Sequence, residues 1–233
     1  MKQMLIILAL ISSTIASAET TSLKDCQSMF PHNKIPVVNQ KTREFCFSEF
    51  AILFSPETKN AIYSVQRLDA ARLNTKVKRN NRFHADKFVP ASERALPSDY
   101  KNTGLDKGHF SEAAAMSTDL AAYESVDLLN VSAQSSRFNR GVWAKSVELA
   151  TRKYILRNPT HSVVVYTGPW YNPDHGTLGR VHFFKPDYYY KLIFDETTGK
   201  SWCHFLENKD DVRMKAPITY QEFVAKTGLR LLD

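Results

Sequence analysis

The sequence lacks the short motifs that mark several large enzyme classes. Its 233 residues contain no G-x-S-x-G nucleophile elbow, no H-E-x-x-H metalloprotease motif, no Walker phosphate loop and no G-x-G-x-x-G dinucleotide-binding loop. Each of these motifs meets a geometric requirement of its chemistry, such as the backbone cradle for phosphates in the Walker loop. The chain is therefore not expected to be an α/β-hydrolase, a zincin, a P-loop NTPase or a Rossmann-type dehydrogenase.

Cysteines are few, and low-complexity segments and repeats are missing. The three cysteines form no C-x-x-C pair and have no Cys/His spacing suited to zinc, so a cysteine-based zinc site is not expected. No Ser/Gly-rich or Pro-rich linker divides the chain, and no period of about 20–50 residues repeats. With 43% hydrophobic and 24% charged residues, the composition indicates a single globular domain rather than a disordered or collagenous chain.

The longest apolar run lies at the beginning of the chain and is too short to span a bilayer as a mature helix. Lys2 precedes this run over residues 4–11, and Ala16-Ser17-Ala18 follows it. The order is typical of a secretory signal peptide with an A-x-A cleavage site, and an uncleaved membrane anchor is the alternative. We expect cleavage after residue 18, a mature domain over residues 19–233, and a secreted or periplasmic protein with no stable membrane association.

The cysteines predict one disulfide and one thiol if the protein folds in an oxidising compartment. Cys26 and Cys46 are close in sequence and predict a bridge that fixes the N-terminal segment to the rest of the domain. Cys203 lies in an apolar and aromatic run, which is typical of a buried thiol.

Two features of the sequence bear on the kind of molecule that the protein binds. Lys and Arg number 31 against 24 Asp and Glu, a net charge of +7 that favours an acidic partner such as nucleic acid or anionic lipid without deciding between them. Tyr188-Tyr189-Tyr190 suggests stacking on nucleobases. The alternative is a strand whose tyrosines alternate between a buried and an exposed face.

The hydrophobic pattern predicts an α+β domain with a largely antiparallel central sheet flanked by helices. Alternating or β-branched runs predict strands over residues 47–54, 61–68, 162–166, 188–194 and 201–206. Helical patterns with capping residues predict helices over residues 117–128, 138–157 and 218–227, the last ending at Gly228. Residues 74–107 are polar, basic and without period, and predict a long loop region.

The string Asp106-Lys107-Gly108-His109 places an acid, a cation, a glycine and an imidazole together at the end of that loop. A histidine beside a glycine can approach a ligand closely, and the neighbouring carboxylate can fix the histidine tautomer or the loop. The alternative is a turn with an incidental surface histidine.

A second string begins at Asn139, with Trp143 four residues later on the same helix face. Trp143 would pack inward and hold Asn139 near the helix start. An asparagine carbonyl is a hard oxygen ligand that suits Mg²⁺, which takes few protein ligands. The alternative is a helix N-cap at Asn139 and an ordinary core residue at Trp143.

Together these strings resemble the DNA/RNA non-specific endonucleases of the ββα-metal superfamily, whose pattern runs D-R-G-H, then N-x-x-P-Q, then N-x-x-x-W-x-x-L-E-x-x-x-R. Further matches fall in family order along nearly the whole chain from Cys46. The resemblance implies a ββα-metal motif within the α+β fold. It also implies an enzyme that hydrolyses DNA and RNA with little sequence preference and leaves 5′-phosphate ends.

The resemblance also implies roles for single residues. His109 would be the general base that takes a proton from the attacking water. Asn139 would be the direct protein ligand of one Mg²⁺, with Mn²⁺ as a substitute. Asp106 matches the first residue of the D-R-G-H motif, Asn130 would orient the site, and Arg82, or alternatively Arg79, would bind phosphate.

The chain departs from the family pattern at several positions. Lys107 replaces an arginine and loses the bidentate guanidinium fork, and Ala133 replaces a proline. The family glutamate stands eight residues after the ligand asparagine, where this chain has Val147, whereas Glu148 is nine residues on. A π-bulge between Trp143 and Glu148 would absorb the extra residue.

Arg152 follows Glu148 by four residues, as in the family. The alternative is that both are solvated charges on the helix surface.

Two rival functions follow: an enzyme of the same fold restricted to DNA or to RNA, and a catalytically impaired basic secreted protein that only binds nucleic acid.

Overall fold

A six-stranded antiparallel sheet with the strand order β1-β2-β3-β6-β9-β10 forms the centre of the computed structural model, which describes residues 22–233. The predicted signal peptide, residues 1–18, lies outside the described residues. The strands are β1 (Arg43–Cys46), β2 (Ala51–Ser55), β3 (Asn60–Leu68), β4 (Leu105–His109), β5 (Val131–Ser135), β6 (Val163–Trp170), β7 (Thr177–Leu178), β8 (Phe183–Phe184), β9 (Tyr188–Asp195) and β10 (Lys200–Glu207).

Helices are short and lie mostly between β3 and β6. They are α1 (Ala70–Asn74), α2 (Asp119–Glu124), α3 (Ser136–Phe138), a π-helical segment (Asn139–Glu148), α4 (Leu149–Arg157) and α5 (Tyr220–Thr227). Five 3₁₀ turns complete the list: Leu23–Met29, Pro31–Asn33, Pro97–Tyr100, Ala113–Ala115 and Leu128–Asn130. No helix within residues 22–233 is long and apolar enough to span a membrane.

The central strands are buried on both faces, because aromatic clusters cover each side of the sheet. One cluster contains Phe110, Phe138, Trp143 and Tyr189 and lies beneath the loops and helices of the middle of the chain. The cluster on the other face contains Phe30, Tyr63, Tyr166 and Phe223. Burial of this much apolar surface is the main favourable contribution to folding. The predicted α+β fold with a largely antiparallel sheet is confirmed.

Most predicted elements are present, but the first strand was placed wrongly. Residues 47–50 form the turn between β1 and β2, where the Phe47 amide donates to the Phe50 carbonyl at 2.9 Å. The Ser48 amide donates to a Glu124 carboxylate oxygen at 2.9 Å, so the backbone leaves the ladder there. The segment 47–54 that predicted one strand therefore begins with a turn, and β1 precedes it.

The helix predicted over residues 117–128 contains only α2, which Thr118 caps through its side chain. It ends early because the chain turns into a 3₁₀ turn that leads to β5. The last predicted helix begins at Tyr220, and Gly228 adopts the predicted left-handed conformation (φ 70°). Within the predicted loop region of residues 74–107, α1 ends at Asn74 and β4 starts at Leu105.

The predicted disulfide joins Cys26 to Cys46, with Cα atoms 5.9 Å apart. It connects the N-terminal 3₁₀ turn to β1 at the edge of the sheet. Cys203 is a buried free thiol in β10, as predicted.

A separate two-stranded ribbon carries the first motif. β4 and β5 pair antiparallel, with His109 opposite Val131 and Leu105 opposite Ser135. α2 lies between the two strands in the chain, and the helical segments follow β5 directly, so the paired strands and the next helix form a strand, strand, helix unit. This is the ββα arrangement that the resemblance implied.

Candidate active site

A cavity of about 310 Å³ opens between the ribbon and the π-helical segment. It brings His109 of β4 together with Asn139 and Glu148, the first and last residues of the π-helical segment. The complete lining is Arg79, Lys107, His109, Glu112, Ala113, Ala114, Asn139, Arg140, Ala144 and Glu148.

His109 presents a neutral imidazole to this cavity. Its Nε2 atom is buried and has no hydrogen-bond partner among the described residues, and its ring lies 5.5 Å from the Phe83 ring. Burial, with the positive charge of Arg79 as a second cause, lowers the pKa of His109 to about 4. An unpartnered neutral nitrogen can accept a proton near pH 7, as a general base must.

Gly108 is required for a reason other than flexibility. A Cβ atom at this position would lie 1.8 Å from Oε1 of Gln134, whose fully buried side chain fills the space across the ribbon. The glycine of the motif therefore permits close packing of β4 on β5, and this packing fixes the backbone beside His109.

Asp106 positions the start of the helix. Its carboxylate accepts hydrogen bonds from Ser136 Oγ at 3.0 Å and from Asn139 Nδ2 at 3.0 Å. Arg140 donates two more, from Nε at 2.7 Å and from Nη2 at 2.5 Å. Burial opposes ionisation of this carboxyl group, but the hydrogen bonds from Arg140, Asn139 and Ser136 outweigh it and hold the pKa of Asp106 below its usual range.

Asn139 is oriented by this contact. A carboxylate can only accept hydrogen bonds, so the amide nitrogen of Asn139 must face Asp106. The amide oxygen accepts no hydrogen bond from the described residues and remains available to a ligand.

Glu148 reaches the cavity because the helix is π-wound. The π-helical segment runs from Asn139 to Glu148, so the predicted bulge between Trp143 and Glu148 is confirmed. Asn139, Ala144 and Glu148 all line the cavity, at spacings of five and four residues. Trp143 stays buried in the core, as predicted.

Glu148 belongs to a cluster of two carboxylates and two cations, whose other members are Glu112, Arg152 and Lys191. Glu112 is buried and forms an ion pair with Arg152, whereas no ion pair joins Arg152 to Glu148 among the described residues. Lys191 is also buried, donates to Thr167 Oγ1 at 2.8 Å and lies 5.5 Å from the centre of the Trp143 ring. Burial, followed by the charge of Glu112, raises the pKa of Glu148, while Lys191 and Arg152 oppose this shift.

Asn130 lies beneath the site rather than in it. Its amide nitrogen donates to the carbonyls of Ser111 and Ser125 at 2.8 and 2.9 Å, and its amide oxygen accepts from the Ser111 amide at 2.9 Å. The side chain is fully buried. It therefore fixes the backbone two residues after His109, which agrees with an orienting role.

The structure separates the two arginine candidates for phosphate binding. Arg79 lines the cavity and contributes to the pKa shift of His109. Arg82 is exposed and does not line the cavity. Lys107, which replaces the family arginine, lines the cavity and lies 5.3 Å from the centre of the Phe83 ring.

The sequence alone did not point to Glu112 or Lys191. A glutamate before Ala113-Ala114-Ala115 and a lysine within the buried strand β9 were the available signals, since buried charges require partners. Neither signal identifies the partner, because the partners are distant in sequence.

Residues 22–233 contain no group of three or more His, Cys, Asp or Glu side chains that could hold a metal ion. The oxygen donors that line the cavity are the Asn139 amide and the carboxylates of Glu148 and Glu112. Amide and carboxylate oxygens are hard ligands, and they fit Mg²⁺ or Mn²⁺ better than a thiophilic metal.

Residues 31–230 match the family described as DNA/RNA non-specific endonuclease. The chain belongs to the DNA/RNA non-specific endonuclease family. This confirms the resemblance that the motifs indicated, and the family is one of metal-dependent nucleases.

Individual relatives of this nuclease-family chain are distant. It is 26% identical over 183 residues to mitochondrial endonuclease G of Bos taurus, covering 73% of this chain and 59% of that protein. It is 28% identical over 194 residues to nuclease C1 of Cunninghamella echinulata var. echinulata, covering 76% of each. The chain thus spans less than two thirds of the length of the bovine relative.

The fold also matches a solved structure of this nuclease class. The crystal structure of the EndoG/EndoGI complex, described as showing the mechanism of EndoG inhibition, superimposes with a TM-score of 0.75. The match covers 93% of this chain and 94% of that chain at 19% identity. At this identity the likeness establishes the fold.

The lowered pKa of His109 predicts an unusual pH profile for nuclease activity. Since the imidazole stays neutral above about pH 4, kcat/KM should fall on the acid side only as the pH approaches 4 to 5. An exposed histidine would give a fall near pH 6.5. In Arg79→Gln, which removes a nearby positive charge, the fall should move to higher pH. An acid limb near 6.5 in the folded wild-type protein, checked by circular dichroism, would contradict the assignment.

The contacts of Asp106 predict that it controls cation affinity through Asn139. In Asp106→Asn, the divalent cation concentration that gives half-maximal nuclease activity should rise about 10- to 100-fold, as is typical when a residue that supports a metal ligand is changed. Asp210→Asn is the matched control, because Asp210 also accepts hydrogen bonds from this helix start, at Ser135 and Arg137, but does not contact Asn139. Equal requirements in the two variants would contradict the prediction.

The π-helical segment predicts an asymmetric response to length changes. Deletion of the exposed Lys145 places Glu148 four residues after Trp143, so an ordinary α-helix can keep both side chains on their present faces. We expect nuclease activity within about tenfold of wild type, because the cavity lining is preserved. Insertion of one alanine after Lys145 should abolish activity, because it rotates Glu148 by a further 100° or so. A folded but inactive deletion variant would refute this account.

Proposed function

We propose that this chain is a secreted, divalent-metal-dependent endonuclease that cuts DNA and RNA with little sequence preference. The observation that carries the proposal is that one cavity is lined by His109, whose Nε2 has no hydrogen-bond partner among the described residues, and by Asn139, whose amide oxygen accepts no hydrogen bond from them. Arg79, Lys107 and Arg140 line the same cavity and supply positive charge for a phosphate group.

In the proposed reaction, water attacks the phosphorus atom of the backbone while His109 Nε2 accepts a proton from it. The bond between phosphorus and the 3′ oxygen breaks, and the leaving oxygen takes a proton from solvent water, so the products carry a 5′-phosphate and a 3′-hydroxyl. Arg79, Lys107 and Arg140 hold the phosphate by charge-assisted hydrogen bonds. Asp106 keeps the Asn139 amide in place throughout.

Asn139, with Glu148 as a neighbouring carboxylate, would hold one Mg²⁺ or Mn²⁺ ion. When bound, the ion would neutralise charge on the phosphate and the departing oxygen. Arg152 and Lys191 oppose the rise in the pKa of Glu148 that burial and Glu112 cause, and a bound cation would favour the ionised carboxylate further.

The positively charged lining supports action on both DNA and RNA. Phosphate contacts carry no sequence information, and phosphate is common to the two polymers. The net charge of +7 adds long-range attraction for a polyanion and predicts strongly salt-dependent binding.

We also propose that the chain is exported, cleaved after residue 18, and active as a single domain over residues 19–233. The support is the signal-like sequence of residues 1–18 and the Cys26–Cys46 disulfide, a bond typical of oxidising compartments. Relatives include a mitochondrial protein, so location is not a constant of the family.

The test is cleavage of supercoiled plasmid and of RNA by purified protein, with Mg²⁺ or with excess EDTA. Both polymers should be degraded, and EDTA should abolish the reaction. His109→Asn should lower the rate by at least about a hundredfold while DNA binding is retained, since the proton acceptor is lost and the cations remain.

His182→Asn is the matched control, because His182 is exposed and does not line the cavity. Equal cleavage by the two histidine variants would refute the assignment of the base. Binding without cleavage by the wild type in Mg²⁺ or Mn²⁺ would instead support a protein that only binds nucleic acid.

A further inference from the structure

A second, larger cavity lies at one end of the central sheet. Its volume is about 460 Å³, against about 310 Å³ for the catalytic cavity. Side chains alternate between the faces of a strand. Tyr189 packs against Trp143 beneath the catalytic site with ring centres 5.8 Å apart, so Tyr188 lies on the opposite face, where it lines the second cavity. The proposed reaction uses no residue of this cavity.

Aromatic side chains form one wall. Trp170 on β6 and Tyr188 on β9 are direct partners in the antiparallel ladder, so their side chains lie side by side on the same face. The ring of Phe205 on β10 stacks on Tyr188, with centres 5.1 Å apart and planes at 29°. All three side chains are only partly buried.

The cover of this sheet face ends at the cavity. Phe223 of α5 packs on Tyr190 with ring centres 5.0 Å apart, and Tyr190 is the next residue of β9 on this face. Beyond it, Trp170 and Tyr188 have a cavity over them instead of a helix.

Two lysines also line the cavity. Lys215 and Lys226 line the cavity and are exposed. Glu207, the acidic residue of the lining, is paired with Lys209 at 2.5 Å as well as with Lys215 at 3.6 Å. Because Lys209 compensates Glu207, the cavity keeps a positive charge.

This combination favours single-stranded nucleic acid as the occupant. Aromatic side chains on adjacent strands of an open sheet face stack on bases, and flanking cations contact the phosphates. A double helix presents no free base faces to such a surface. The charge also complements a polyanion.

The end of the sheet that carries this cavity is held against the catalytic ribbon. Asn208 follows the cavity residue Glu207, and its side chain donates to the Ala133 carbonyl at 2.9 Å. It also accepts from the Ser135 amide at 2.8 Å. Because the two cavities lie on opposite faces of the sheet, a polynucleotide that contacts both must pass around this end of the sheet.

We propose that the second cavity is an accessory binding site for single-stranded nucleic acid. Bases stack on Tyr188 and Trp170, and Lys215 and Lys226 contact phosphates. The proposal rests on the proposed nuclease function, because the occupant is the part of the substrate that flanks the bond to be cut.

The test measures binding of fluorescein-labelled (dT)15 by anisotropy at several salt concentrations, in the cleavage-deficient His109→Asn background. Lys215→Gln combined with Lys226→Gln should weaken binding about tenfold and lower the slope of log K against log salt by about 1.4, or 0.7 for each lost phosphate contact. Tyr188→Leu should weaken binding about tenfold with the slope unchanged, because one stacking contact is lost.

The matched control is Lys153→Gln combined with Lys200→Gln. It removes the same charge from exposed positions on α4 and at the other end of β10. The accessory site is overturned if the cavity variants bind (dT)15 with the affinity and salt slope of this control.

Plasmid cleavage by the wild type separates the two proposals. Cleavage together with unaltered binding by the cavity variants removes the accessory site and leaves the nuclease function. If the wild type does not cleave plasmid and the protein does not bind (dT)15, both the nuclease function and the accessory site are refuted.

Discussion

The carboxylate of Asp106 joins the strand that carries the proposed base to the helix that carries the proposed amide ligand. It accepts hydrogen bonds from Ser136, Asn139 and Arg140, while His109 lies three residues along the same strand. The junction holds at neutral pH because these hydrogen bonds outweigh burial and lower the pKa of Asp106. Arg140 is 75% exposed, yet both oxygens of the carboxylate hold it, so it stays at the cavity rim. The rest of the site is built around this fixed geometry.

Compensation of buried charge is the second constraint, and it explains residues that no short motif contains. Glu112 and Glu148 bring two carboxylates to one side of the cavity, where low polarity makes isolated charges costly. Arg152 and Lys191 supply two cations at the same place. A lysine in the middle of a buried strand would be unfavourable by itself, but with these partners it keeps the cluster near electrical neutrality.

The parts of the site that the sequence predicted are those in which chemistry demands particular residues at short spacing. Local strings made His109 and Asn139 candidates, and the family resemblance gave their roles. The same resemblance, together with helical periodicity, predicted that Glu148 would need a π-bulge to reach the site. The Glu112–Arg152 pair and the position of Lys191 depend on tertiary contacts between distant segments, so no local pattern could give them. The same limit applied to the sheet, where residues 47–54 predicted one strand although residues 47–50 form a turn.

The π-helical segment shows that the site depends on the directions in which Trp143 and Glu148 point, rather than on the number of residues between them. Trp143 must face the core and Glu148 the cavity, but five residues of ordinary α-helix would place them about 140° apart. Hydrogen bonds from residue i to i+5 bring the fifth residue back toward the starting face, at the cost of poorer backbone geometry. Packing of Trp143 and Val147 in the core holds the wider turn in place. An inserted residue is therefore tolerated where the helix can change its winding without moving either contact.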